Sequence, residues 1–301
     1  MKIIKESQQK CLIWSMTRFI LIILISIFLD FNLLSDEISN PNKLKIALLP
    51  DENAAKIIED NQGLLELLEK KLNKRIELIV STDYSTMIEA IRFKRIHVGY
   101  FGPLSYTIAK SKANITPFAA REKNGKTHYR SVIIGNSAQN IKDFEDIRGK
   151  NFGFGDVAST SSHLIPKFIL KENNLEGKKD YKEVYLGTHD AVAIAIQNGI
   201  IQAGGLSEPI FDMLIKNRII DLKKINIIEY SEYYPQYPWV YINDLNENLK
   251  KQISEIFLNI KDKQVLSKFK ADKFSKILDS EFDVIRKLAT NLKLYNYEKK
   301  D

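Results

Sequence analysis

RIELIVSTDYSTMIEAIRFKRIHVGYFG, residues 75–102, decides the fold class. Six residues rich in Ile, Leu and Val precede an amphipathic stretch from Tyr84 to Phe93, and a second short apolar run, HVGYFG (97–102), follows it. Short apolar runs alternating with amphipathic segments are the pattern of a mostly parallel sheet covered by helices. The rhythm extends in both directions. LKIALLP (44–50) reads as a strand and Ala54–Lys74 as a helix with Leu64, Leu65, Leu68 and Leu72 on one stripe. Pro103 starts a helix through Ala109, after which TPFAARE (116–122) and YRSVIIG (129–135) are extended segments around a polar turn at Asn124-Gly125.

The alternation then restarts. FGFG (152–155), EVYLG (183–187), IQAGGL (201–206) and INIIEY (225–230) read as strands, with helices from about Ser161, over Asp190–Gln197 and near Pro209. The tail from Asn246 to Tyr297 carries a nearly continuous helical pattern. Two α/β series joined by extended crossovers imply two lobes hinged by paired strands, with a ligand cleft where strand carboxyl ends meet helix N-termini. The expected division is residues 43–132 for the first part of lobe 1, 133–236 for lobe 2, and 237–301 for the return to lobe 1 and the C-terminal helices.

Composition narrows the function. With 44% hydrophobic and 28% charged residues, the 301-residue chain fits no disordered, collagenous or polytopic membrane class. A net charge of +7, spread along the chain, suits an anionic ligand and gives no arginine-rich run for nucleic acid. One cysteine, Cys11, cannot form an internal disulfide, and four histidines without a second cysteine leave no thiolate metal site, so neither cofactor nor metal is expected. Residues 1–35 read as an export signal: Lys2, Lys5, Lys10 and Arg18 precede the uncharged run Phe19–Leu29, too short to span a bilayer and of the right length for a secretory segment. No Ala-x-Ala cleavage site is present, so the alternative of an uncleaved anchor stays open; with cleavage near Asp36, the protein acts in the periplasm.

The residues that carry chemistry lie at strand ends. In FGFGDVASTSSH (152–163), four consecutive hydroxyl residues, Ser159 to Ser162, open a helix. A helix start presents unpaired N–H groups and a partial positive charge, and hydroxyls add donors without a counter-charge, a combination suited to a tetrahedral oxyanion. One of them would suffice as an N-cap. His189, in GTHDAV (187–192), stands at a second helix start where an imidazole N–H could face an anion, or serve the cap alone. Tyr84 and Tyr100 are placed to line a small pocket, or to pack in the core. Glu208, at the end of a further strand, would accept the proton of a monoprotonated oxyanion, or lie exposed at the surface.

The segments at 82–106, 152–162, 187–199 and 203–211 together resemble the phosphate/phosphite/phosphonate substrate-binding proteins of ABC transporters, the PhnD-like group. The resemblance covers roughly residues 43–245 and implies an α/β type II periplasmic-binding-protein fold. It implies further that Ser159, Thr160 and Ser161 bind anion oxygens, that His189 adds a donor, and that Tyr84 and Tyr100 close the other side, with Glu208 at an acidic position of the cleft. Where aminoalkyl-phosphonate binders are expected to hold a second acid, this chain has the aromatic stretch around Tyr237. Phosphite or methylphosphonate is therefore expected ahead of phosphate or 2-aminoethylphosphonate, with a permease as partner, a monomeric state and no enzymatic activity. A secreted phosphoesterase built on Ser159 and His189 is the remote alternative, lacking a G-x-S-x-G elbow.

Overall fold

The computed structural model describes residues 38–297. The expected export signal at residues 1–35 and Cys11 lie outside the described residues. Strand β1 (Lys43–Leu48) runs parallel to β2 (Arg75–Val80) and to β3 (Val98–Tyr100), linked by helices α1 (Ala54–Leu72) and α2 (Tyr84–Arg92). The α1 stripe facing the sheet is Ile57, Asn61, Leu64, Leu68 and Leu72, at spacings of three and four. Asp83 caps α2 by accepting the Thr86 N–H at 2.7 Å. Helix α3 (Pro103–Lys112) then leads to β4 (Ile115–Glu122).

The polar turn at Asn124-Gly125 has both residues at positive φ, 51° and 74°, a conformation open to Asn and Gly. After it the chain crosses through β5 (His128–Tyr129) into β6 (Ser131–Asn136), which begins a second sheet with β7 (Asn151–Phe154), β8 (Lys182–Tyr185), β9 (Ala203–Ser207) and β10 (Ile225–Tyr230). Its order is β10-β6-β9-β7-β8, with α4 (Ile165–Glu172), α5 (His189–Gln197) and α6 (Glu208–Lys216) between strands. The chain returns through β11 (Tyr234–Pro235), which pairs with β5, into β12 (Pro238–Ile242). Helices α7 (Glu247–Leu258) and α8 (Lys263–Lys268) follow, then β13 (Lys273–Ser275) and α9 (Asp283–Asn291). The first sheet is ordered β13-β4-β12-β3-β1-β2. The tail therefore departs from an all-helical pattern: Lys273–Ser275 is a strand, added antiparallel to the edge of β4.

Period-two alternation explains how the second sheet is covered on both faces. Along β6, Val132 and Ile134 pack with Val192, Ile196 and Phe211, while Ile133 packs with Phe152, Phe154 and Leu164. The first sheet has its own cluster around Trp239, Phe101 and Phe257. The last turn of chain passes between them: Phe282 belongs to the first cluster, Ile285 and Ala289 to that of Phe152 and Phe154. The ends of β1, β3, β7 and β9 converge on the gap between the sheets, which places the site.

Candidate functional site

The hydroxyl run performs four separate tasks. Ser159 caps, accepting the Ser162 N–H at 3.2 Å. Ser162 braces: its Oγ accepts the Gly155 N–H at 2.8 Å and donates to the Gly205 carbonyl at 2.5 Å. A β-carbon at Gly155 would lie 2.8 Å from that oxygen, so the close approach requires glycine. Thr160 bridges, its Oγ1 accepting the Leu104 N–H of α3 at 2.8 Å. Ser161 has its carbonyl held by the Ser131 hydroxyl at 2.6 Å, yet its own hydroxyl is buried and finds no hydrogen-bond partner among the described residues. The helix expected from Ser161 begins as a widened π-type turn over Thr160–Leu164, a deviation that recurs at functional sites, before α4 continues it.

His189 opens α5 beside the capping Thr188, whose side chain accepts the Ala191 N–H at 3.4 Å. Its backbone N–H donates to the Asp51 carbonyl at 3.0 Å, across the gap between the sheets. Its Nδ1 accepts the Ser207 N–H at 3.2 Å, which puts the imidazole proton on Nε2. Burial pushes the imidazolium down to about 3, so the ring is neutral, and Nε2 is buried without a partner. With Nδ1 engaged and Nε2 protonated, His189 has no free lone pair to act as base toward Ser159.

Tyr129 was not singled out from sequence. Its buried hydroxyl lies beside Ser161 and Thr160, finds no well-formed hydrogen bond among the described residues, and is pushed up by burial. Three donors, the Ser161 and Tyr129 hydroxyls and His189 Nε2–H, are thus buried and unpartnered. Leaving one such group unmade costs about 1–3 kcal/mol, so a cluster of them calls for an acceptor.

The opposite wall is aromatic with one acidic break. Tyr100 stacks on Trp239 at 4.8 Å between ring centroids and tilts against Tyr237 at 5.5 Å; Tyr237 meets Tyr129 edge-on at 5.3 Å. Tyr84 is buried, its hydroxyl toward Ser159. A cavity of about 100 Å³ lies beside Ser207, the partner of His189 Nδ1, and is lined by Asp51, Glu52, Tyr100, Arg121, Tyr237 and Lys270 among others. Asp51 is the second residue that sequence reading missed; the signal available was an acid directly after the first strand, at Pro50-Asp51. Burial, then the charge of Glu52, pushes its carboxyl up to about 8.

Glu208 departs from its expected role. Its carboxylate pairs with Arg130 at 2.5 Å, and the Arg130 guanidinium lies 4.0 Å over the Tyr230 ring. It lines the wider outer mouth of the cleft, about 800 Å³, with Asp212 and Tyr233, and is not among the residues of the small cavity. The Arg130 guanidinium beside it satisfies this carboxylate. Ser159, Thr160, Ser161, His189, Tyr84, Tyr100 and Tyr237 are brought together in the inner part of the cleft; Glu208 stands at its outer mouth, which Tyr129 also lines.

Among the described residues no group of three or more His, Cys, Asp or Glu side chains could hold a metal ion, and no helix is long and apolar enough to cross a membrane. Comparison with known proteins is consistent in direction. The chain is 26% identical over 287 residues, 89% of its length and 96% of the relative's, to the probable ABC transporter phosphite binding protein PhnD1 of Prochlorococcus marinus. It is 27% identical over 255 residues, 82% of its length and 75% of the relative's, to the phosphonates-binding periplasmic protein of Escherichia coli. The solved structure of Prochlorococcus marinus PhnD1 in complex with methylphosphonate superimposes with a TM-score of 0.79 at 24% identity, covering 85% of this chain and 100% of that one, and it shares the two-lobed type II periplasmic binding fold. The family described as ABC transporter, phosphonate, periplasmic substrate-binding protein matches residues 46–282, and the chain belongs to it.

Proposed function

We propose that this protein captures a small phosphorus oxyanion outside the cytoplasm, phosphite or methylphosphonate ahead of phosphate, and delivers it to the permease of an ABC importer. The observation that carries this reading is the cluster of three buried, unpartnered donors, Ser161, Tyr129 and His189 Nε2–H, at the facing ends of two lobes. Ser159, Thr160 and Ser161 at the helix start, with His189, take the anion's oxygens; Tyr84, Tyr100 and Tyr237 present ring faces to its fourth substituent. A P–H or P–CH3 group meets those rings at little desolvation cost, whereas a fourth phosphate oxygen loses hydration unless it is paired. We further propose that residues 1–35 direct export, that the lobes divide at 132/133 and 236/237, and that the protein acts as a monomer.

Support comes from the names of two relatives, one a phosphite binder and one a phosphonates binder, and from the methylphosphonate in the structural neighbour. One observation favours a second ligand: Asp51 and Glu52 line the small cavity, where an ammonium of 2-aminoethylphosphonate would find carboxylates. Asp51 carries its proton at neutral pH and Lys270 offsets the charge of Glu52, so this ligand ranks behind the neutral substituents. Calorimetric titration with phosphite, methylphosphonate, phosphate and 2-aminoethylphosphonate tests the order. Displacement of phosphite by phosphate at equal concentration would overturn the ranking, and no binding of any of the four would overturn the reading.

A further inference from the structure

The three unpartnered groups at the anion position are all donors. The hydroxyls of Ser161 and Tyr129 and the Nε2–H of His189 offer protons, and the phenols are all pushed up by burial and keep theirs. A phosphorus oxyanion near neutral pH brings at least one further choice, because one of its oxygens either carries a proton that needs an acceptor or is a second negative charge that needs a donor. Asp51 is placed to meet that oxygen. Its carbonyl receives the His189 N–H at 3.0 Å, which pins the residue against the opposite helix start, and its side chain lines the small cavity beside Tyr100, Tyr237 and Ser207. Tyr100 and Tyr237, whose ring centroids are 5.5 Å apart, line that cavity with it.

A bare carboxylate in that position, with Glu52 beside it and Asp190 on α5 facing it, would repel a dianion at close range. Arg121 and Lys270, which line the same cavity, bring positive charge against it, and burial pushes the Lys270 ammonium down. One proton between the two oxygens converts the repulsion into a charge-assisted hydrogen bond.

We propose, resting on the anion reading above, that Asp51 sets the protonation state in which the ligand is held: its carboxyl and one phosphorus oxygen share a single proton, brought by either partner. Carboxylate with monoanion and carboxylic acid with dianion are then the same complex, and the site fails only when both partners have lost their protons. Asp51→Asn replaces the shared proton by a fixed amide donor and uncouples binding from pH.

Calorimetric titration of the purified chain with methylphosphonate near pH 9, in two buffers of different ionisation heat, tests this. Wild type is expected to take up about one proton per ligand bound and to lose affinity about tenfold per pH unit above that point. Asp51→Asn is expected to take up none and to hold its affinity level. Lys270 and the phenols are present in both proteins, so their titration cancels. The same uptake and slope in Asp51→Asn, or no uptake in wild type, overturns the proposal while leaving the anion reading intact. Wild type that binds no phosphorus oxyanion at any pH overturns the anion reading itself. If Asp51→Asn gives no cooperative melt, the carbon-13 resonance of the Asp51 carboxyl in wild type decides: methylphosphonate added near pH 9 moves it to its protonated position, and an unmoved resonance overturns the assignment.

Discussion

The backbone N–H of Leu104 donates to Thr160 Oγ1 at 2.8 Å, so the first turn of α3 is capped by a side chain from the other lobe. Leu104 follows Pro103 at the helix start, where an N–H has no intrahelical partner. With one lone pair so engaged, the Thr160 hydroxyl keeps its proton to give, and the Tyr129 hydroxyl lies beside it. One residue thus ties the two lobes together across the cleft.

Thr160→Val is expected to weaken phosphite binding about ten- to a hundredfold, the loss of one hydrogen bond to a charged group, about 1.5–3 kcal/mol. Thr160→Ser keeps the hydroxyl and should stay within a few fold of wild type. Calorimetric affinities for both variants decide the matter; an unaltered Val variant would move the anion contact elsewhere.

His189→Ala should cost about as much, because it removes the Nε2–H donor and also strands the buried Ser207 N–H. His189→Gln offers an amide oxygen to Ser207 and an amide N–H to the ligand, and is expected to recover part of the affinity. Equal losses in the two variants would show that the imidazole acts by shape alone.

Glu208→Gln is expected to change phosphite affinity less than about threefold, since its carboxylate is committed to Arg130 at the outer mouth. Ser161→Ala, which deletes one of the unpartnered donors, should lower affinity by about tenfold or more. Measuring the two side by side separates the inner site from the rim, and a reversed order of effects would return Glu208 to the anion.

Folding stability should depend on pH in a defined direction. Burial pushes the imidazolium of His97 and His163 down to about 4 and that of His189 to about 3. Between those values and about 6.5 the unfolded chain binds the protons and the native state does not, so stability is lost as the pH falls through that window. Asp51, pushed up to about 8, works in reverse: its native state holds a proton that the unfolded chain has lost, and stability declines as pH rises from about 4 toward 8. Three histidines outweigh one carboxyl below about 6.5, and the melting temperature should fall on acidification toward pH 4. His163→Gln, which retains a donor for the Val157 carbonyl, should remove a share on the order of 3 kcal/mol of that loss. An identical acid profile in the variant would place the proton uptake elsewhere.

The parts of this molecule that follow from local pattern were readable in advance. The alternation of Ile-, Leu- and Val-rich runs with amphipathic stretches marked most strands of both sheets, and the glycines and hydroxyls of 153–162 marked a strand end and helix start. What pattern could not supply was which residue faces which across the cleft. Tyr129 belongs to a short crossover strand and carries no motif; its hydroxyl matters because the hinge sets it beside Ser161. Asp51 follows an ordinary strand end and becomes notable only through its burial in a cavity lined by Tyr100 and Tyr237. Glu208 had the local context of a ligand, and an arginine 78 positions earlier redirected it. Lys273–Ser275 reads as helix in isolation and is a strand because the edge of β4 offers it a ladder.

The last helix has a mechanical consequence. Two segments cross between the sheets as the paired strands β5 and β11, and a third crossing occurs where Phe282 leaves one apolar cluster and Ile285 enters the other. Two rigid bodies tethered by a narrow ribbon can bend, twist and slide relative to each other. A further tether, fastened by the Tyr297 hydroxyl to Thr107 at 2.7 Å, adds a third constraint on that motion. Fewer relative arrangements of the two lobes are then open to the chain, and the observed one sets the Leu104 N–H against Thr160.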